Sequence, residues 1–176
     1  MRTGQISLIF CSYYNNDAKQ YSNMINNGIN AWNSVFSSTH VNFQGGSSGK
    51  SATILFAADD FTDKETSGGA LAFTASFAYN DSTKTYEQVN PNNSNWSLNV
   101  IDINKRTIGD LNVFNAQGTI AHEIGHTLGL NENNTNPNSI MCQEKYRRNV
   151  NVPSSDDIAG IRYLYPYITL KKQKGR

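Results

Sequence analysis

The chain has 176 residues, 38% of them hydrophobic and 16% charged, which suits one domain with a core of its own and excludes two of ordinary size. With 15 Lys and Arg against 14 Asp and Glu, the formal charge is +1, so the strong field of a polyanion binder is absent and neither nucleic acid nor an anionic membrane is expected as a partner. The longest apolar runs, Ile6 to Cys11 and Ile54 to Ala58, fall far short of the roughly 20 residues of a membrane helix, so no membrane span is expected.

Gln5 to Tyr14 alternates as a strand does, and Asn15-Asn16-Asp17 offers an N-cap to the helix that follows. Tyr21, Met24, Ile25, Ile29, Trp32, Val35 and Phe36 recur at helical steps and mark a buried face ending near Ser37. Val41 to Phe43 reads as a second strand, Gly45 to Gly49 as a turn, and Ala52 to Ala58 as a third strand buried on both faces. Asp59 to Gly69 is an acidic loop. Ala70 to Tyr79 is a fourth strand alternating Leu71, Phe73, Ala75 and Phe77, and the Asn-rich stretch Asn80 to Asn95 is a long loop or ribbon. Trp96 to Ile103 supplies a fifth strand, Ile108 to Leu130 is helical up to Gly129, and Ser154-Ser155-Asp156-Asp157 caps a last helix through about Tyr165. Lys171 to Arg176 is a solvated basic tail. With no internal repeat and no linker, residues 1–176 are expected to form a single domain.

Cys11 and Cys142 lack a C-x-x-C spacing, which excludes thiolate zinc ribbons and thioredoxin-like redox chemistry. One disulfide and two buried thiols both remain open. The start of the chain has no charged n-region, apolar h-region and cleavage site, so no export signal is expected within these residues.

The chemistry concentrates at His122-Glu123-Ile124-Gly125-His126-Thr127-Leu128-Gly129-Leu130-Asn131-Glu132. Helix positions i and i+4 lie one above the other, so His122 and His126 offer imidazole nitrogens to one zinc ion. Glu123, one residue round, reaches a water at the metal in place of the metal itself, as a general base must. Gly129 permits a positive φ that turns the chain back toward the site. By chance H-E-x-x-H arises in something like one such chain in a few hundred. Here two of only three histidines fill its slots, which makes coincidence a poor account.

The segment resembles the metzincin zinc endopeptidases, and most closely their matrixin branch. The pattern H-E-x-x-H-x-x-G-x-x-H is met at His122, Glu123, His126 and Gly129, while Glu132 stands at its last position. Asn138-Ser139-Ile140-Met141 resembles the Met-turn, and Asp156-Asp157-Ile158-Ala159-Gly160-Ile161-Arg162-Tyr163-Leu164-Tyr165 resembles the closing helix of matrixin catalytic domains. Gly68 to Phe73 resembles the edge strand beside the substrate cleft, with Phe73 where the family has a zinc-binding histidine. The resemblance implies an α+β, zincin-like fold: a five-stranded twisted mixed sheet with two long helices in an upper subdomain of about residues 1–130, and a small C-terminal subdomain of about 131–176 carrying a third helix. It also implies one catalytic zinc, a protein or peptide substrate and extracellular action, with a monomer expected. Within it, Ala70, Leu71 and Ala72 bind substrate, Tyr146 lines the cleft and Met141 forms a hydrophobic floor. Glu132 becomes the expected third zinc ligand, because Asn131 and Asn133 are neutral amides beside a carboxylate that bonds zinc at about 2.0–2.2 Å.

The structural zinc of matrixins takes three histidines and an aspartate, and with only His40 left over it is excluded. Asp59, Asp60, Asp63 and Glu65 are expected to form a solvated acidic turn, with Ca2+ held by their oxygens as the alternative. The cysteine-bearing latency segment of the family is missing. His40 is expected at the surface, and Trp32 and Trp96 as core anchors. Four N-x-S/T sequons, at Asn80, Asn92, Asn95 and Asn133, carry little weight in so Asn-rich a chain. A second reading, a metzincin-fold binding module with impaired chemistry, rests on the Glu132 departure alone. A third, zinc hydrolysis of something other than peptides, is disfavoured by the edge strand and Met-turn.

Overall fold

The structure, a computed structural model, describes residues 8–46, 52–61, 70–144 and 147–166. Strand β1 (Leu8–Tyr14) is followed by helix α1 (Ser22–Asn33), the single-turn helix α2 (Phe36–Thr39), and strands β2 (Val41–Gly45) and β3 (Ile54–Asp59). Strands β4 (Ala72–Asn80), β5 (Thr85–Val89) and β6 (Leu98–Asn104) come next, and then helices α3 (Val113–Thr127) and α4 (Ser155–Leu164). The sheet order is β2-β1-β3-β6-β4-β5. Its first four members run parallel, and β4 is antiparallel to both neighbours. This is the expected α+β architecture with one strand more.

The additional strand lies in the segment read as a loop or ribbon. Thr85–Val89 is almost wholly solvent-exposed, so it lacks the alternation that betrays a half-buried strand. It is held by its hairpin: Ser82 N–H donates to Asn80 Oδ1 at 2.9 Å, and the paired Tyr79 and Tyr86 rings meet edge-on at 5.2 Å. β5 pairs only with Ser76–Asn80. Among the described residues, Ala72–Ala75 have β6 on one side and no strand on the other.

One face of the sheet packs on the helices. Ile54, Phe56 and Ala58 are buried there while Leu55 and Ala57 are half-exposed, so β3 is covered on one face and not on both as expected. α1 inserts Ile25, Ile29 and Trp32 into the core. Gly28 permits its close approach to α3, since a Cβ there would lie 2.5 Å from Ile120 Cγ2. Trp32 Nε1–H donates to the Ala121 carbonyl at 2.8 Å, confirming it as a core anchor, whereas Trp96 is only half-buried and lies beside Gly129.

Two other expectations are corrected. His40 is 5% exposed rather than on the surface: it closes α2 in the left-handed region, φ 56°, which sets its ring edge-on to Phe36 at 6.0 Å. α3 begins at Val113, because Leu111 is extended and Asn112 caps the helix by accepting from Asn115 N–H at 2.8 Å. Cys11 and Cys142 are not joined by a disulfide. Of the proposed calcium ligands, Asp63 and Glu65 lie outside the described residues. Asp59 and Asp60 instead face Lys105 Nζ, at 4.0 and 3.8 Å.

Candidate metal centre

α3 carries His122 and His126 one turn apart, with their Nε2 atoms 3.2 Å from each other. Each ring is oriented from behind: His122 Nδ1 lies 2.9 Å from the Ile140 carbonyl, and His126 Nδ1 lies 2.8 Å from that of Leu130. A carbonyl only accepts, so Nδ1 carries a proton, and in the neutral ring Nε2 presents its lone pair to the site. The helix ends as expected. Gly129 adopts φ 87°, and its N–H and that of Leu130 bond back to the His126 and Gly125 carbonyls at 2.9 and 3.1 Å. This turn delivers Glu132, whose Oε1 stands 3.5 Å from both Nε2 atoms.

Four-coordinate zinc with bonds of about 2.0–2.1 Å keeps its ligand atoms about 3.3–3.4 Å apart at tetrahedral angles. The observed triangle has edges of 3.2, 3.5 and 3.5 Å, so these three side chains fit zinc without rearrangement. His122 is nearly buried, while the His126 and Glu132 side chains are 24% and 38% exposed. The triangle therefore opens toward solvent on one side, as a catalytic site with a free fourth position requires. In the metal-free protein burial pushes the Glu132 carboxyl up, but the hydrogen bonds and charges of His122 and His126 outweigh it and hold the group down at about 2. Burial pushes His126 down, and Glu132, the Glu123 charge and the Leu130 carbonyl together raise it above its ordinary value.

Met141 is 2% exposed and packs beneath this arrangement. Any side chain at Gly125 would collide with its thioether, which explains the Gly inside His122-Glu123-Ile124-Gly125-His126. The closing helix braces the same region. Asp157, buried at the start of α4, accepts from Ser139 Oγ at 2.5 Å and from Ile140 N–H at 2.9 Å. It thereby fixes the backbone at Ile140, the residue whose own carbonyl orients His122. Tyr165 Oη–H donates to the Leu128 carbonyl at 3.0 Å and anchors the end of α3.

Glu123 is 6% exposed and takes no part in the ligand triangle. Thr74 Oγ1 lies 2.8 Å from Glu123 Oε2 and 3.0 Å from the Glu123 carbonyl. Sequence reasoning missed Thr74. The available signal was a hydroxyl on the face of the edge strand opposite Phe73 and Ala75. A cleft of about 350 Å³ runs past Ala72, Thr74, Glu123, His126 and Glu132. Leu71 and Phe77 carbonyls accept from Asn104 and Ser97 N–H, at 3.0 and 2.9 Å, on the β6 side. By alternation Ala72 and Thr74 turn their N–H and C=O groups to the open edge. Ala70 also lines the cleft, but its carbonyl accepts from Asn104 Nδ2 at 2.9 Å. Tyr146 lies outside the described residues.

A mixed sheet backed by a helix that bears two histidines one turn apart, with a Met-turn beneath them, defines a zincin-type metallopeptidase. The sequence profile of the matrixin family matches residues 4–166, and the chain belongs to that family. It is a zinc-dependent metalloendopeptidase acting on protein substrates. No curated protein matches the chain. Among the described residues no helix is long and apolar enough to cross a membrane.

Proposed function

We propose that zinc is held by His122, His126 and Glu132, that Glu123 is the general base, and that an extended peptide docks along β4. The observation that carries this reading is the sorting of two neighbouring carboxylates: Glu132 completes a triangle of zinc dimensions, while Glu123 is drawn off it by Thr74. Zinc, when bound, supplies Lewis-acid polarisation of a peptide carbonyl and acidification of water. Glu123 accepts a proton at Oε1, the oxygen Thr74 leaves open, and returns it to the departing amine. Ala72 and Thr74 pair with the substrate main chain and set its register. Met141 is the apolar floor and Tyr146 a cleft residue. Residues 1–176 act as one catalytic domain, as a monomer and outside the cell, in keeping with the near-neutral charge and the family.

The reading as a binding module with impaired chemistry drew on Glu132 alone, and a carboxylate facing both imidazoles no longer favours it. Casein or gelatin turnover with and without a chelator tests the proposal. Activity that is abolished by the chelator and restored by zinc is expected, and chelator-resistant turnover would sink it.

A further inference from the structure

Glu132 Oε1 has a contact besides the two imidazoles: Gln143 Nε2–H donates to it at 3.0 Å. Gln143 lies two residues beyond Met141 and is itself held at both ends by one partner. Its backbone N–H donates to Asn134 Oδ1 at 2.9 Å, and its side-chain oxygen accepts from Asn134 Nδ2 at 3.4 Å. A glutamine amide has one acceptor and one donor end. With the acceptor engaged by Asn134, the donor is committed to Glu132. A carboxylate oxygen has two acceptor directions, so Oε1 accepts from Gln143 and keeps the other direction for a metal. Such fixing matters here. Glu132 sits on the loop after Gly129, is partly exposed, and has more rotamer freedom to lose than an imidazole.

We infer that Gln143, locked by Asn134, is a positioning residue that presents Glu132 Oε1 to the metal. It does for the loop-borne carboxylate what the Ile140 and Leu130 carbonyls do for the imidazoles. The inference rests on the proposed role of Glu132 as a zinc ligand, and it requires that removing Gln143 weakens zinc binding only when position 132 is a glutamate.

The test is a double-mutant cycle of Gln143→Leu and Glu132→His on the full chain, with zinc affinity read by competition against a chromophoric chelator. Gln143→Leu is expected to weaken zinc binding about 10- to 100-fold in the parent, the usual scale for a partner behind a ligand, and to leave the Glu132→His protein within about twofold. An unchanged parent, or equal losses in both backgrounds, overturns the inference. Glu132→Gln in the same assay separates the two levels: if that protein keeps zinc, Glu132 is no ligand, whatever Gln143→Leu does. Asn134→Ala in the parent decides independently of how the other variants fold. It leaves Gln143 in place with both ends released, and a smaller but measurable loss supports the lock while unchanged affinity overturns it.

Discussion

The metal centre joins two regions built on different principles. The helix-borne imidazoles are fixed by backbone: the i, i+4 spacing sets their separation, and main-chain carbonyls hold their outer nitrogens. The loop-borne carboxylate is delivered by the turn at Gly129 and then held by side chains, those of Gln143 and Asn134. Backbone geometry survives almost any surface change, whereas a side-chain lock is undone by one substitution. The histidine half should therefore be the robust part of the site and the Glu132 half the adjustable one.

The most drastic way to break this comparison is to remove an imidazole. His122→Ala or His126→Ala is expected to abolish both hydrolysis and zinc retention, because two remaining protein ligands rarely hold zinc against dilution. Stoichiometric zinc after dialysis would refute the helix-face site. Adjustability on the other side is probed at Glu132. Glu132→Gln should lose most zinc affinity. Glu132→His should keep the metal and, by replacing a negative ligand with a neutral one, move the acidic limb of the rate profile to lower pH. Glu123→Ala sharpens the contrast between the two carboxylates, since zinc content should stay intact while peptide hydrolysis falls at least roughly a hundredfold. Residual activity within tenfold of the parent would remove Glu123 as the base.

Smaller effects follow from the supporting residues. Thr74→Val deletes a hydrogen bond to a carboxylate, about 1.5 kcal/mol or roughly tenfold in kcat, while zinc content and KM stay near the parent values. Thr74→Ser should restore the rate, and failure to do so would make Thr74 a packing residue only. The last effect appears without metal. Glu132, lowered from 4.5 to about 2, contributes stability above pH 4.5 that is lost as pH falls through its folded value. His126, raised from 6.5, contributes stability below pH 6.5 that is lost as pH rises through its folded value. The Tm difference between metal-free parent and metal-free Glu132→Gln should be greatest between these two limits and shrink on either side. A difference that stays flat from well below pH 4.5 to well above pH 6.5 would show that the two groups are not coupled.

What the sequence made legible was whatever depends on regular local geometry. His122, Glu123 and His126 translate directly into positions on a helix, Gly129 into a positive φ, and Glu132 into a place on the loop counted from that turn. The residues behind them were illegible because their partners are distant in the chain. Thr74 meets Glu123 across 49 positions and Gln143 meets Glu132 across 11, and no periodicity links such pairs. β5 escaped notice for a different reason: exposed along nearly its whole length, it leaves no hydrophobic signature. His40 was misjudged because burial of a lone histidine after a single helical turn is decided by the turn's conformation rather than by residue type.

The short reach of β5 has a consequence for how the sheet meets other chains. An edge strand left bare invites unregulated pairing with copies of itself. Here the hairpin covers Ser76–Asn80 of β4, and among the described residues of that strand only Ala72–Ala75 stay unpaired on this side, a length of about 13 Å at 3.3 Å per residue. A stretch that short offers few main-chain bonds to a second sheet, yet on the proposed docking it suffices to seat a few residues of a peptide beside Glu123. On the proposed docking, the hairpin that covers the rest of β4 also sets how much of a substrate can pair with it as a strand.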